Sequence, residues 1–355
     1  MRWQLAEADG GQGALFEEVL GWHAGKGEYR NLEFLHVRAQ RIINTVPPQS
    51  RVPFTYTINP YRGCSHACVY CFSRPTHEYL DLGAGEDFER KIVVKVNAVE
   101  RLRAELHTRR WQGEPIAMGT NTDPYQRCEG KYRLTRGIIE TLGQFKNPFS
   151  ILTKGTLILR DLDVLQAAAA HTTVRANFSI GTLDETVWRE TEPGTPHPMR
   201  RVEAVARLNQ AGIPTGVLVA PILPGISDDA AQLDAVVKAC VDAGAVSISG
   251  IMLHLRKGVR ELFEPWLKEH HPELRERYAA LYPRAYAAAA DQDQLAKRIR
   301  AAVAKHGGTA MSPLYMRDSP DSAPSRPARI DWPARRRARS GDPEQLALLP
   351  PTKGH

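Results

Sequence analysis

Between Pro53 and Leu255, short apolar runs rich in β-branched and aromatic residues alternate with runs of helical spacing. Residues 54–58, 115–119, 149–153, 173–180, 214–220 and 246–253 each predict a strand. In 98–108, Val99, Leu102 and Leu106 recur at the spacing of one helix face. Segments 134–145, 157–170 and 201–210 repeat that pattern, and Gly212 is placed to stop the last of them. A fifth helix runs to Ala243 from a cap at Asp228 or Asp229. Six mostly apolar strands separated by helices imply a parallel sheet covered by helices, an α/β fold. Six units fall short of the eight that close a full barrel.

Outside this repeat the signal weakens. Residues 1–50 read as a small helical or irregular N-terminal extension, with 34–41 packing on the repeat. The β–α region covers 51–258, and 259–311 reads as a helical segment placed to close its open side. The tail, 312–355, is rich in Pro, Ser, Ala and Arg and reads as disordered. No repeat of solenoid period is present.

Composition adds little until charge and cysteine are located. Apolar residues make up 42% of the chain and charged residues 25%, as in ordinary soluble domains. No secretory h-region opens the sequence. The most apolar stretch, 213–226, is broken by Pro214, Gly216, Pro221, Pro224 and Gly225, so no membrane span is expected. The net charge of +7 is partly local, because 326–339 holds six arginines against the single acid Asp331. That stretch reads as a solvated tail or as a nucleic-acid contact through counterion release.

Three of the five cysteines lie in Asn59-Pro-Tyr-Arg-Gly-Cys-Ser-His-Ala-Cys-Val-Tyr-Cys-Phe, directly after the first expected strand. An odd, clustered set fits a reducing cytoplasm and not a disulfide scaffold. Cys64, Cys68 and Cys71 offer thiolates to a soft metal or an iron–sulfur cluster. A four-iron cluster takes four thiolates, so three leave one iron open. The other reading is a three-cysteine zinc site completed by His66 or His77. Cys240 lies in the apolar periodicity of the fifth helix and reads as core.

Cys-x3-Cys-x2-Cys with Tyr70 before the last cysteine resembles the signature of the radical S-adenosylmethionine (radical SAM) enzymes. The resemblance implies a partial (β/α)6 barrel. It also implies a [4Fe–4S] cluster on Cys64, Cys68 and Cys71 whose open iron binds SAM. Reductive cleavage then yields a 5′-deoxyadenosyl radical, which calls for a reductant such as flavodoxin or ferredoxin.

Polar residues ending the strands are placed to bind SAM in such a barrel. Asn121 and Asp123 offer acceptors for its ammonium group; before Pro124 they also read as an Asx-turn. Lys154 is placed to pair with its carboxylate or a substrate anion, and Ser179 to bond the ribose or serve the turn at Gly181. Tyr70 packs beside the adenine or in the core. Residues 217–225 present backbone to adenine or form barrel wall. His254 and Arg256, ending the sixth strand, and His77, just past the cysteines, face the substrate side. The loop Glu192-Pro-Gly-Thr-Pro-His-Pro198 lies at the same rim, with no chemical step assigned to it.

The runs Asn59-Pro-Tyr-Arg-Gly-Cys, Cys71-Phe-Ser-Arg-Pro-Thr-His, Phe88-Glu-Arg-Lys-Ile-Val-Val-Lys, Gly119-Thr-Asn-Thr-Asp-Pro-Tyr-Gln and Glu192-Pro-Gly-Thr-Pro are together similar to the spore photoproduct lyase-like branch, often labelled "DNA repair photolyase". The arrangement with residues 1–50 resembles actinobacterial members. In that branch a hydrogen-donating cysteine falls in the segment corresponding to 119–123. This chain has Thr120 and Asn121 there, and Cys128 is the nearest thiol.

Overall fold

The six expected strands form one sheet. The computed structural model describes residues 16–47, 50 and 52–311. Its strands are β1 (Phe16–Ala24), β2 (Glu33–Ala39), β3 (Ile43–Thr45), β4 (Tyr56–Ile58), β5 (Tyr61–Arg62), β6 (Lys91–Lys95), β7 (Ile116–Met118), β8 (Phe149–Thr153), β9 (Val174–Ser179), β10 (Thr215–Ile222) and β11 (Ile248–Met252). Strands β4, β7, β8, β9, β10 and β11 pair in parallel, and β3 adds antiparallel to β4. The order is β11-β10-β9-β8-β7-β4-β3, and among the described residues the two ends do not pair. The barrel is therefore partial.

Parallel neighbours require crossovers, which the helices Ala98–Leu106, Leu134–Gln144, Leu162–Ala169, Pro198–Gln210 and Ala230–Asp242 supply. Their apolar faces (Leu102, Ile138, Leu165, Val205, Val236) share one core with Ile116, Ile151, Phe178 and Val219 from the strands. Cys240 is fully buried there, as its periodicity indicated. Asp229 proves to be the cap, accepting from the Ala231 and Gln232 amides at 2.8 and 3.2 Å. Gly212 ends the helix before β10 at φ +79°, a left-handed conformation that disfavours a Cβ.

The N-terminal region departs from expectation. In place of a helical or irregular extension it holds β1, β2 and β3, and a second sheet of order β1-β2-β6-β5 forms beside the barrel. β1 exposes most of its length and β2 buries residues on both faces, so neither shows a clean alternation. Phe34 does pack on the barrel, with no exposure in the main core.

After β11 the chain is helical, as expected, in Arg260–His270, Arg275–Leu281 and Ala289–Lys305. Phe263, Leu267, Tyr278 and Tyr282 pack with Leu223, Leu255, Cys68 and Tyr70, and so cover the cysteine loop from the β11 side. Residues 310–311 run beside β11, where the Met311 amide donates to the Ile248 carbonyl at 2.9 Å. The arginine-rich tail lies outside the described residues. Among the described residues no helix is long and apolar enough to cross a membrane.

Candidate active site

The cysteine loop starts where β5 ends. Gly63, at φ +78°, lies so close to Phe88 that a Cβ would stand 2.9 Å from the Phe88 carbonyl oxygen. The Cys64 amide donates to that same oxygen at 2.8 Å. From the barrel side, Gln126 accepts from the Ser65 amide and donates to the Gly63 carbonyl, both at 3.0 Å. Thr122 adds a hydroxyl to the Gly63 carbonyl at 2.7 Å. On the opposite side the buried Arg74 guanidinium donates to the carbonyls of Cys68 (3.0 Å) and Ala67 (3.2 Å), and pairs with Glu89 at 2.5 Å. The backbone of the loop is thus fixed by side chains from two sides and by the Phe88 carbonyl.

All three thiols are free; Cys64 and Cys68 are buried and Cys71 half-buried. Burial pushes the Cys64 thiol well up, with the charge of Asp123 and the other two sulfurs adding. Cys68 is pushed up to about 12 by burial and Glu192, against Lys154. Thiols held this way stay protonated until a metal displaces the proton. Among the described residues no three His, Cys, Asp or Glu side chains converge on a single ion. Neither histidine of the zinc reading is idle. His66 Nδ1 stands 3.4 Å from Asp123, and His77 Nε2 donates to the Lys91 carbonyl at 2.9 Å.

Three of the expected binding residues meet around one that the sequence left without a role. Glu192 is buried just past the helix Glu185–Thr191. It accepts from Lys154 Nζ at 2.9 Å, from the Tyr70 hydroxyl and from the Arg201 guanidinium. Burial raises its carboxyl, but Arg201 and Lys154 outweigh that and hold it well below the ordinary range. Lys154 also donates to Ser179 Oγ at 2.6 Å and lies 5.7 Å from the centre of the Tyr70 ring. The Ser179 hydroxyl in turn donates to the Ala220 carbonyl at 2.6 Å. The Glu192 loop lies flat on the cysteines: the Gly194 amide donates to the His66 carbonyl at 3.0 Å, and a Cβ at Gly194 would stand 2.1 Å from the Ser65 carbonyl.

Asp123 forms the Asx-turn, accepting from the Tyr125 amide at 2.8 Å. It accepts as well from Thr153 Oγ (2.6 Å) and the Lys154 amide (2.7 Å), so its oxygens tie the ends of β7 and β8 together. Burial raises its carboxyl and His66 and these donors lower it more, with a net downward shift. Asn121 is half-buried in the same loop, its amide donating to Asn59 at 3.2 Å. His254 stacks on Tyr286 with ring centres 4.0 Å apart. Cys128 is fully buried in the main core, where burial and Glu129 push its thiol well up; it packs as an apolar side chain. Local spacing did not reveal Arg74, Arg201 and Gln126 as supports, because each also reaches a partner in another segment: Glu89, Ser179 and Gly63.

The model of the radical SAM superfamily matches residues 58–235. An uncharacterized protein of Mycobacterium tuberculosis is 43% identical over 280 residues, covering 79% of this chain and 82% of its own. An uncharacterized protein of Methanocaldococcus jannaschii is 27% identical over 56% of this chain and 70% of its own. Among solved structures, spore photoproduct lyase complexed with dinucleoside spore photoproduct superposes with a TM-score of 0.59 at 16% identity, covering 78% of this chain and 80% of that one. At that identity the likeness is one of fold. Its partial barrel, its cysteine loop and the family match carry one conclusion: this chain belongs to the radical SAM superfamily and is an enzyme of radical chemistry.

Proposed function

We propose that Cys64, Cys68 and Cys71 hold a [4Fe–4S] cluster and that SAM binds over it at the strand-end rim. The carrying observation is three free thiols on the loop after β5, with a backbone fixed by Gln126, Thr122 and Arg74. When bound, cluster and SAM supply reductive cleavage to a 5′-deoxyadenosyl radical that takes hydrogen from the substrate. The protein binds, orients and excludes water. Asn121 offers an acceptor for the SAM ammonium. Lys154 supplies the cation at the rim, held in place by Glu192, Ser179 and Tyr70. Asp123 acts by fixing the loop that carries Asn121.

The substrate we favour is nucleic acid. The chain carries a net charge of +7, and the solved structure of shared fold holds a dinucleoside photoproduct. With Thr120 and Asn121 where a thiol donor would fall, the reaction differs from thymine-dimer repair. A reducing cytoplasm suits free thiols and an oxygen-sensitive cluster, with flavodoxin or ferredoxin as reductant.

The test is anaerobic reconstitution with iron and sulfide, then SAM and dithionite, and chromatography for 5′-deoxyadenosine. A brown protein forming it, with each Cys→Ala variant inactive, is the expected result. A colourless zinc protein that leaves SAM intact, or a cysteine variant with full cleavage, overturns the reading.

A further inference from the structure

The small sheet carries two cations that the site above does not use. In β5 the Tyr61 hydroxyl bonds Glu129 in the main core, so the pleat turns Arg62 to the opposite, outer face. In β6, Ile92 and Val94 enter the main core, while Val93 joins Phe16, Leu35, Val37 and Leu80 in a separate outer cluster. Lys95 lies two residues past Val93 and shares its face. Arg62 pairs with Val93, and Lys95 with Val37. Arg62 and Lys95 are therefore diagonal neighbours on one face, a separation that long side chains span.

Neither cation has an ion-pair partner among the described residues. Lys95 is 6% exposed and Arg62 half-buried. Among the described residues neither side chain forms an ion pair or hydrogen bond. The carboxylate acting on Lys95, Glu105, spends its oxygens on the Ile42 and Ile43 amides at 2.7 and 3.0 Å. Burial and the Arg62 charge push the Lys95 ammonium down to about 7. The Arg62 charge also reaches His77, whose Nδ1 is buried without a partner. A buried cation beside a half-buried one, without an anion among the described residues, is a net cost to the fold, which a bound anion removes.

We propose that the Arg62–Lys95 pair is a binding site for a phosphate group. A planar guanidinium fork beside a point-charge ammonium matches a tetrahedral oxyanion. Two exposed aromatic rings belong to the same region: Tyr79 acts electrostatically on Arg62, and Trp22 lies at the far edge of the small sheet, three strands from Arg62 in the same row. Such rings suit a phosphate that arrives with bases attached. Both cations fall in runs that carry the family resemblance, Asn59-Pro-Tyr-Arg and Phe88-Glu-Arg-Lys-Ile-Val-Val-Lys.

The test uses the full chain purified anaerobically and does not involve SAM cleavage, so its failure leaves the cluster reading standing. Thermal melting is compared in chloride and in inorganic phosphate at matched ionic strength. Phosphate should raise the wild-type midpoint by roughly 2–4 °C, the stabilisation of a ligand bound only to the native state. Lys95→Arg should keep the shift. Lys95→Met should lose it while melting above wild type in chloride. No wild-type shift, or an equal shift in Lys95→Met, overturns the proposal. Anisotropy with a short single-stranded oligonucleotide separates the sources. Binding weakened roughly tenfold by Lys95→Met assigns the site to a backbone phosphate; oligonucleotide binding unchanged by Lys95→Met, while the variant loses the phosphate shift that the wild type shows, assigns it to free phosphate.

Discussion

Lys154 Nζ lies 2.9 Å from Glu192 Oε1, and the other carboxylate oxygen of Glu192 takes the Arg201 guanidinium. Two cations thus share one buried carboxylate at the rim of the barrel. Glu192→Gln keeps the shape and removes the charge, leaving both cations unpaired. Breaking such a pair costs about 3–5 kcal/mol, read from denaturant midpoints at unchanged slope. The carboxyl is held below its ordinary value of 4.5, so its contribution is complete at neutral pH and is lost as pH falls below that value. A variant as stable as wild type would mean that the network does not hold the rim.

Arg74 makes five hydrogen bonds, to the carbonyls of Ala67, Cys68, Ala84 and Gly85 and to Glu89. A lysine at this position has a single nitrogen and cannot span them. Arg74→Lys should lower the iron retained per chain after desalting and broaden the electron paramagnetic resonance signal of the reduced protein. A mere loss of stability would lower the melting point and leave the spectrum of the surviving cluster unchanged. Iron content and spectrum both equal to wild type would remove Arg74 from any part in holding the loop.

The division between what was legible and what was not follows the range of the interactions. The barrel strands were readable because each is a local apolar run, and the cysteine loop because its spacing is local too. The Asx-turn at Asp123 is equally local, with Asp123 and Tyr125 two residues apart. The small sheet escaped notice because β2 pairs with β6 across more than fifty residues and buries both faces, which erases alternation. Glu192 escaped for the same reason. Its partners Tyr70, Lys154 and Arg201 come from three other segments, and nothing in Glu192-Pro-Gly-Thr-Pro announces them.

Cys128 is the nearest thiol to the segment that lacks one, yet it is fully buried in the core and its proton is held firmly. A hydrogen donor must reach the substrate; this one does not reach solvent. Cys128→Ala should leave 5′-deoxyadenosine formation and product yield within twofold of wild type. It should destabilise the fold by about 1–2 kcal/mol, the cost of a small cavity. A product yield collapsing at unchanged SAM cleavage would return Cys128 to the reaction.

Lys95 gives stability a dependence on pH whose sign is fixed. The ammonium titrates at about 7 in the folded chain and at the ordinary 10.5 once unfolded. Between those values the unfolded chain binds a proton that the folded chain does not, so stability rises with pH across that window. Below about pH 7 both states hold the proton, and the full penalty of the buried charge remains. Lys95→Met removes the group, so the difference between variant and wild type isolates it from every other titration. In phosphate-free buffer the two melting curves should converge as pH rises from 7 to 9, with the wild type climbing toward the variant. Phosphate should flatten the wild-type slope, because a bound anion holds the proton on Lys95. Parallel curves across that range would show that Lys95 keeps an ordinary affinity for its proton and that no unneutralised cation lies under the small sheet.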